Sequence, residues 1–153
     1  MANWGKTSQA RLDTCHPHLV QLCDALIGRC PFESQGFEIN DLVILAGHRI
    51  ETDQNEAVRA GHSRTRWPNS MHNRMPSLAV DIAVYHPNIV GKVDWKNADE
   101  FEALAAEMLA TANEFNINLR WGGDWDRDGI RVDNDPDESL MDGPHFELVG
   151  YED

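Results

Sequence analysis

Apolar residues recur along this chain at helical spacing in three segments. Spacings of three and four run through Ser8–Ile27, although Pro17 interrupts the pattern and places a second candidate helix start near His16. The same spacing predicts the clearest helix over about residues 97–115. A short helix is expected over 52–58, where the first residue, a threonine, would cap the helix and a nearby glycine would stop it. The pattern therefore predicts helices in the first, middle and last thirds of the chain.

Short apolar or alternating runs predict strands between these helices. The candidates are Leu42–Ala46, Leu78–Tyr85, Leu119–Trp121 and His145–Val149. Strands separated by helices at unequal spacing favour the α+β class, with a small, mainly antiparallel sheet packed with helices. At 153 residues the chain is expected to be a single domain spanning 1–153, to which the N-terminal helix belongs.

Charge and cysteine content exclude several function classes. The net charge of −13 and the lack of a basic patch argue against a nucleic-acid partner. No basic N-terminal region leads into an apolar run, and no apolar stretch reaches about 18 residues, so we expect neither a signal peptide nor membrane insertion. Synthesis in a cytoplasm and a monomeric state are the simplest expectations. The spacing of Cys15, Cys23 and Cys30 fits no disulfide framework, so core thiols are expected, with a reactive thiol as the alternative.

Two histidines and two carboxylates supply the inventory of a catalytic zinc site. His72 lies in a loop, Asp81 follows nine residues later on a predicted strand, and His145 begins the last strand. Three ligands on separate elements form a rigid tripod that leaves a fourth position for water. Asp142 precedes His145 by three residues and is the candidate general base, which would later protonate the leaving amine.

Less specific interpretations stand beside this one. A histidine and an aspartate nine residues apart occur by chance in many proteins, and His145 alone could be a buried, hydrogen-bonded side chain. Glu147 is the second candidate for the base, since strand alternation puts it on the face of His145.

Ordered motifs then carry a family resemblance. Ser70-x-His72, Ala79-x-Asp81 and Asp142-x-x-His145 resemble the zinc D,D-carboxypeptidase and L-alanyl-D-glutamate peptidase family, which includes D-alanyl-D-alanine dipeptidases and many phage endolysins. The spacing from His72 to Asp81 is longer than the usual family pattern and is similar to that of phage members. The resemblance extends over most of the chain, through Gly47-His48-Arg49 with Gln54, Trp121-Gly122-Gly123-Asp124-Trp125 and Pro144-His145-Phe146-Glu147.

The resemblance implies roles for three further side chains. Arg49 would contact substrate and stabilise the oxyanion, with a surface salt bridge as the alternative. Gln54 would orient substrate or hold Arg49. Ser70 would bind a substrate carboxylate or shape the loop before His72.

An acidic loop adds a second candidate metal site. Asp124, Asp126, Asp128, Ile130 and Asp135 fall at positions 1, 3, 5, 7 and 12 of an EF-hand calcium loop, and a glycine occupies position 6. Carboxylate oxygens at this density suit Ca²⁺ rather than zinc. The alternative is a solvated acidic loop without an ion. The loop leads directly into the candidate base, so we hypothesise that calcium orders the site.

The resemblance implies a zinc metallopeptidase that acts on bacterial peptidoglycan. The expected reaction is cleavage of the L-alanyl–D-glutamate bond of the stem peptide by a phage endolysin, which would accumulate in the host cytoplasm until the membrane opens. A D-alanyl-D-alanine carboxypeptidase or dipeptidase is the enzymatic alternative. A calcium- or wall-binding module with a silent site is the alternative that is not an enzyme. No separate wall-binding domain is expected.

Overall fold

The structure, a computed structural model, describes residues 2–132 and 141–151. It is an α+β fold, as predicted, and its two sheets are antiparallel. The described helices are α1 (Lys6–Leu12), α2 (Pro17–Arg29), α3 (Glu51–Arg59) and α4 (Ala98–Glu114), with a 3₁₀ turn at Met71–Asn73. The described strands are β1 (Phe32–Ser34), β2 (Phe37–Ile39), β3 (Leu42–Ala46), β4 (Ala79–Val84), β5 (Leu119–Trp121) and β6 (His145–Leu148).

The larger sheet has the strand order β3-β4-β6-β5, so β4 and β6 are its inner strands. In the register of these two strands, Asp81 lies opposite His145, and Ala79 lies opposite Glu147. On the other side of β6, Arg120 lies opposite Glu147. Antiparallel pairing therefore brings polar residues from three separate strands onto one region of the sheet.

The core lies between the helices and this sheet. The α2 stripe of Leu19, Leu22 and Leu26 is fully buried, and helix α4 contacts β4 and β5. All six residues of β4 are buried, so Asp81 is a carboxylate inside the protein. One buried cluster joins residues from α1 to β6, which puts the N-terminal helices in the same core as the sheet.

The described free cysteines are all buried, as predicted for core residues. Burial raises the pKa of the Cys15 thiol to about 12 and that of Cys30 to about 11. Both side chains are therefore neutral thiols at physiological pH and behave as small apolar groups.

Local structure differs from the expectations in three places. The segment Ser8–Ile27 forms two helices, and the second begins where the interruption at Pro17 predicted a start, because the His16 side chain caps it and Pro17 occupies its first position. Helix α3 begins at Glu51, so Thr52 is not its cap. The segment between α2 and β3, for which no strand was expected, contains the β1–β2 hairpin, whose three-residue strands are too short for a periodic signal.

No helix in the described part of the chain has both the length and the apolar character that a membrane crossing requires.

Candidate metal centre

The structure brings His72, Asp81 and His145 together in a buried cluster, as the sequence predicted. Asp81 Oδ1 lies 3.1 Å from His72 Nε2 and 3.2 Å from His145 Nδ1. The two imidazole nitrogens are 3.3 Å apart. Three potential ligand atoms thus form a nearly equilateral triangle on the inner strands and the adjoining 3₁₀ turn.

Local hydrogen bonds fix the 3₁₀ turn that carries His72. Ser70 caps the turn by accepting a hydrogen bond from the His72 backbone N–H at 3.2 Å, and the Asn73 side chain accepts one from the Ser70 N–H at 3.0 Å. The Ser70 side chain therefore shapes the loop, which is one of the two roles expected for it.

The remaining ring nitrogens fix the orientation of both histidines. His72 Nδ1 donates to the carbonyl oxygen of Gly47 at 2.7 Å, and His145 Nε2 donates to Glu147 Oε1 at 2.7 Å. Because these acceptors carry no proton, the nitrogens that face Asp81 are the ones available to a metal ion. Arg120 donates to Glu147 Oε2 at 2.6 Å and holds that carboxylate in turn. A carboxylate–histidine pair of this kind orients metal ligands in many proteins.

This donor set fits zinc in both type and spacing. Two imidazoles and one carboxylate are common ligands of catalytic zinc. Ligands about 2.0–2.1 Å from a tetrahedral ion lie about 3.3 Å from one another. The three separations in the cluster are 3.1, 3.2 and 3.3 Å. Little movement of the side chains would be needed to bind the ion.

The charges at the cluster also suit a divalent cation. Although burial alone would raise it, the pKa of Asp81 is well below its ordinary value because of the neighbouring His72 and His145. Burial lowers the pKa of His72. Burial also opposes charge on His145, but hydrogen bonds to Asp81 and Glu147 prevail and raise its pKa to about 10. A cation that binds here would displace that proton.

Asp142 lies beside the cluster without joining it. Its Oδ2 is 3.9 Å from His145 Nδ1. Burial, together with the charge of Asp81, raises the pKa of the Asp142 carboxyl to about 6. The backbone here is tightly packed around Gly122, where an added Cβ would lie 2.3 Å from the Asp142 carbonyl oxygen. Gly122, the first glycine of the sequence motif, therefore allows the Asp142 segment to approach the end of β5.

Arg49 points into the cluster rather than out to solvent. Its Nη2 lies 3.1 Å from Asp81 Oδ2, and its Nη1 donates to Gln54 Oε1 at 3.4 Å. Gln54 is fully buried and donates to the Thr65 carbonyl oxygen at 2.6 Å. Arg49 therefore forms a salt bridge, but inside the site rather than at the surface, and Gln54 contacts this arginine through a fixed network.

The comparisons with known proteins agree with this arrangement. A model of the family described as phage L-alanyl-D-glutamate peptidase matches residues 1–149. The chain belongs to this family.

Individual relatives extend along nearly the whole chain. The L-alanyl-D-glutamate peptidase of Escherichia phage T5 is 29% identical over 146 residues, which is 95% of this chain and 97% of the relative. The crystal structure of the L-Ala D-Glu endopeptidase ChiX of Serratia marcescens is similar, with a TM-score of 0.64 and 29% identity. That match covers 93% of this chain and 86% of the other.

Two cavities flank the cluster in this family member. A cavity of about 800 Å³ is lined by Arg49, Asp81 and Asp142 together with apolar side chains. A second cavity of about 280 Å³ is lined by His72, His145, Arg49 and Asp142 and by further cationic and polar groups. A peptide bound at the cluster would therefore have space beside it.

Several residues that support the site were missed or misjudged in the sequence. Glu147 was ranked as a second candidate base, whereas it pairs with His145 and Arg120. The Trp125 ring lies 5.4 Å from the His145 ring and 5.9 Å from the Arg120 guanidinium carbon, so it covers both. The Gly47 carbonyl oxygen, which binds His72, leaves no signal in the side-chain pattern.

The acidic loop forms a separate cluster. Carboxylate oxygens of Asp124, Asp126 and Asp128 lie within 4.8 Å of one another, and all three side chains are at least partly exposed. Asp124 accepts hydrogen bonds from the backbone N–H groups of Asp128 and Gly129, which fold the loop around it. Ile130 follows this turn, and Asp135 lies outside the described residues. The calcium site stays a prediction.

Proposed function

We propose that this protein is a zinc-dependent peptidoglycan peptidase that hydrolyses the L-alanyl–D-glutamate bond of the stem peptide. The observation that carries the proposal is the triangle of buried ligand atoms at the spacing of tetrahedral zinc. Membership of a family named for this bond supports the choice of substrate. In a phage, such an enzyme would act as an endolysin on the host wall, after synthesis in the host cytoplasm.

In this proposal, His72, Asp81 and His145 hold the zinc ion. When it is bound, the ion supplies Lewis acidity toward the scissile carbonyl and toward water. Glu147 and Gly47 keep the two imidazoles in the orientation that ligation needs. The buried strands β4 and β6 give the ligands a rigid base, so the tripod keeps its geometry during turnover.

Asp142 is the proposed general base, and Arg49 is the proposed electrophilic group. Asp142 takes a proton from the attacking water and gives it to the leaving amine of D-glutamate. Arg49 donates to the carbonyl oxygen as negative charge develops there. Gln54 holds Arg49 in place, and Ser70 lines the smaller cavity, where its hydroxyl group could bind a substrate carboxylate.

The test combines metal analysis with product analysis. The purified protein should contain about one zinc ion per chain, and removal of zinc with a chelator should abolish the release of soluble products from purified sacculi. Mass spectrometry should find L-alanine retained on the glycan and a new free amine on D-glutamate. Free D-alanine would instead support the carboxypeptidase or dipeptidase alternative. Binding to sacculi without any product would support the non-enzymatic module.

We further propose that Ca²⁺ binds the acidic loop and thereby helps to position Asp142 and His145. The convergence of three carboxylates at EF-hand spacing supports this proposal. Without a cation, clustered carboxylates repel one another. Activity should fall when a calcium-selective chelator is added at fixed zinc and should return with calcium. Unchanged activity would end this part of the proposal.

A further inference from the structure

An exposed tryptophan lines the larger of the two cavities. Trp95 lies just before α4, and 58% of its surface is exposed to solvent. Its ring centroid lies 6.0 Å from that of Phe101, at an interplanar angle of 33°. Large exposed aromatic side chains are costly to hydrate, so a position that opens into a cavity beside the reaction centre indicates a ligand.

The aromatic pair is built onto the segment that carries the proposed base. Phe101 is buried and packs against Gly143, where an added Cβ would lie 2.7 Å from the phenyl ring. The Gly143 carbonyl oxygen also accepts a hydrogen bond from the Trp121 indole at 2.7 Å. Trp95 therefore rests on a fixed support that is continuous with Asp142, and its distance from the reaction centre is set by packing.

The lining of this cavity has the chemistry that a sugar ring requires. Trp95 offers a flat apolar surface to the C–H face of a pyranose, and the small side chains Ala57, Ala60 and Ala98 leave room beside it. The carboxylates of Asp53 and Glu56 line the same cavity and can accept hydrogen bonds from hydroxyl or acetamido groups. A volume of about 800 Å³ exceeds what one amino-acid side chain needs.

The smaller cavity carries more positive charge than the larger one. Arg49, His62 and Asp142 line both cavities, but Arg64 and Arg120 line only the smaller one, together with Glu147, which pairs with Arg120. The proposed substrate also differs in charge between the two sides of the bond to be cleaved. On its alanyl side the peptide is joined through an amide to an uncharged N-acetylmuramyl sugar, whereas its glutamyl side carries a free carboxylate. Charge complementarity thus places the glutamyl side in the arginine-lined cavity and the sugar in the larger one.

We propose that Trp95 stacks on the N-acetylmuramyl ring that precedes the L-alanine, so that the enzyme recognises the glycan as well as the peptide. This inference rests on the proposed peptidase function. It makes Trp95 a specificity-determining residue of the same site.

The test compares two soluble substrates that differ only in the sugar. One is a stem tripeptide that carries N-acetylmuramic acid on its L-alanine, and the other carries an acetyl group there. The ratio of kcat/KM for the muramyl substrate to that for the acetyl substrate should fall about 5- to 10-fold in Trp95→Ala. Trp95→Tyr, which keeps an aromatic face, should retain most of the ratio. Phe115→Ala, which removes a partly exposed aromatic side chain at the end of α4, should leave it unchanged.

The outcomes separate this inference from the function on which it rests. Cleavage of the acetyl substrate by the wild-type enzyme would establish the reaction without reference to the sugar. If Trp95→Ala and Trp95→Tyr then left the ratio unaltered, the stacking proposal would be wrong, and an equal loss on both substrates would assign the cavity to the peptide. If the wild-type enzyme cleaved neither substrate, both the function and the inference would fall.

Discussion

Two clusters in this molecule bring three side chains close enough to share an ion, and they differ in almost every other respect. His72, Asp81 and His145 come from a 3₁₀ turn and two inner strands, and all three are buried. The three aspartates of the acidic loop, at 124, 126 and 128, come from one exposed segment at alternate positions. The first cluster is assembled by the fold, whereas the second is assembled by local sequence.

The difference indicates what each cluster can do. Imidazole nitrogens with fixed partners favour zinc and preserve an open coordination geometry for chemistry. Carboxylate oxygens on a turn favour hard cations and adapt to them, which suits a reversible regulatory ion. Substitutions at or beside one cluster can therefore test it separately from the other.

The largest effect should follow from breaking the buried cluster itself. His145→Ala removes one ligand and leaves Glu147 with Arg120 as its remaining partner. Zinc content should fall to background, and activity should drop at least about 10³-fold, because the loss of the Lewis acid costs several kcal/mol. His18→Ala removes an imidazole that lies outside the cluster and is the matched control. Full activity in His145→Ala would rule out the metal assignment.

The next effect separates ligation from proton transfer. Asp142→Asn keeps the size of the side chain but cannot accept a proton. Activity should fall about 10²- to 10⁴-fold while zinc content stays at the wild-type level. Zinc measured by atomic emission on the same samples used for kinetics provides the comparison. A variant that turned over at the wild-type rate would show that another group is the base.

A smaller effect should follow from weakening the support of a ligand. Glu147→Gln keeps the shape of the side chain but removes the charge that holds the His145 N–H and Arg120. Zinc affinity, measured by competition with a chelator, should fall about 10- to 100-fold. Glu38→Gln, on the exposed face of the β1–β2 hairpin, is the control. An unchanged zinc affinity would mean that Glu147 does not support His145 as a zinc ligand.

The smallest effect is expected in the exposed cluster. Asp126→Asn removes one carboxylate charge and should lower calcium affinity by roughly tenfold or less, because six or more oxygen atoms share the work of ligation. Zinc content should not change. Isothermal titration with calcium, repeated with Asp13→Asn as the matched control, measures the effect. Equal calcium binding in Asp126→Asn and wild type would show that the acidic loop is not the calcium site.

The parts of the fold that could be predicted from sequence were those with a sustained period. The stripes of α2 and α4 and the apolar runs of β3 and β4 were sufficient to indicate their elements, because the helices bury one continuous face and β4 is buried along its whole length. The β1–β2 hairpin escaped notice because three residues show no period. The break before Pro17 was visible, but the apolar stripe continues across it, so the two helices resembled one.

Some features of the candidate site could likewise be predicted from the sequence, and others could not. The residue types of the tripod were identified from ordered motifs, yet their convergence depends on contacts between residues 64 and 73 positions apart, which no local pattern encodes. The pairing of Glu147 with His145 could have been found, since alternation places both on one face. The hydrogen bond from His72 to the Gly47 carbonyl oxygen could not have been found. Every residue has a backbone carbonyl group, so the sequence does not show which one accepts it.

The register of β4 and β6 has a consequence beyond the reaction. Asp81 and His145 lie directly opposite each other, although 64 residues separate them along the chain. An ion held by both would tie the two halves of the polypeptide together, like a cross-link that a chelator can remove. Such a tie stabilises the native state by mass action, because the ligands converge only in the folded chain. Resistance to heat and to proteases should therefore rise and fall with metal supply, even in a variant that cannot hydrolyse anything.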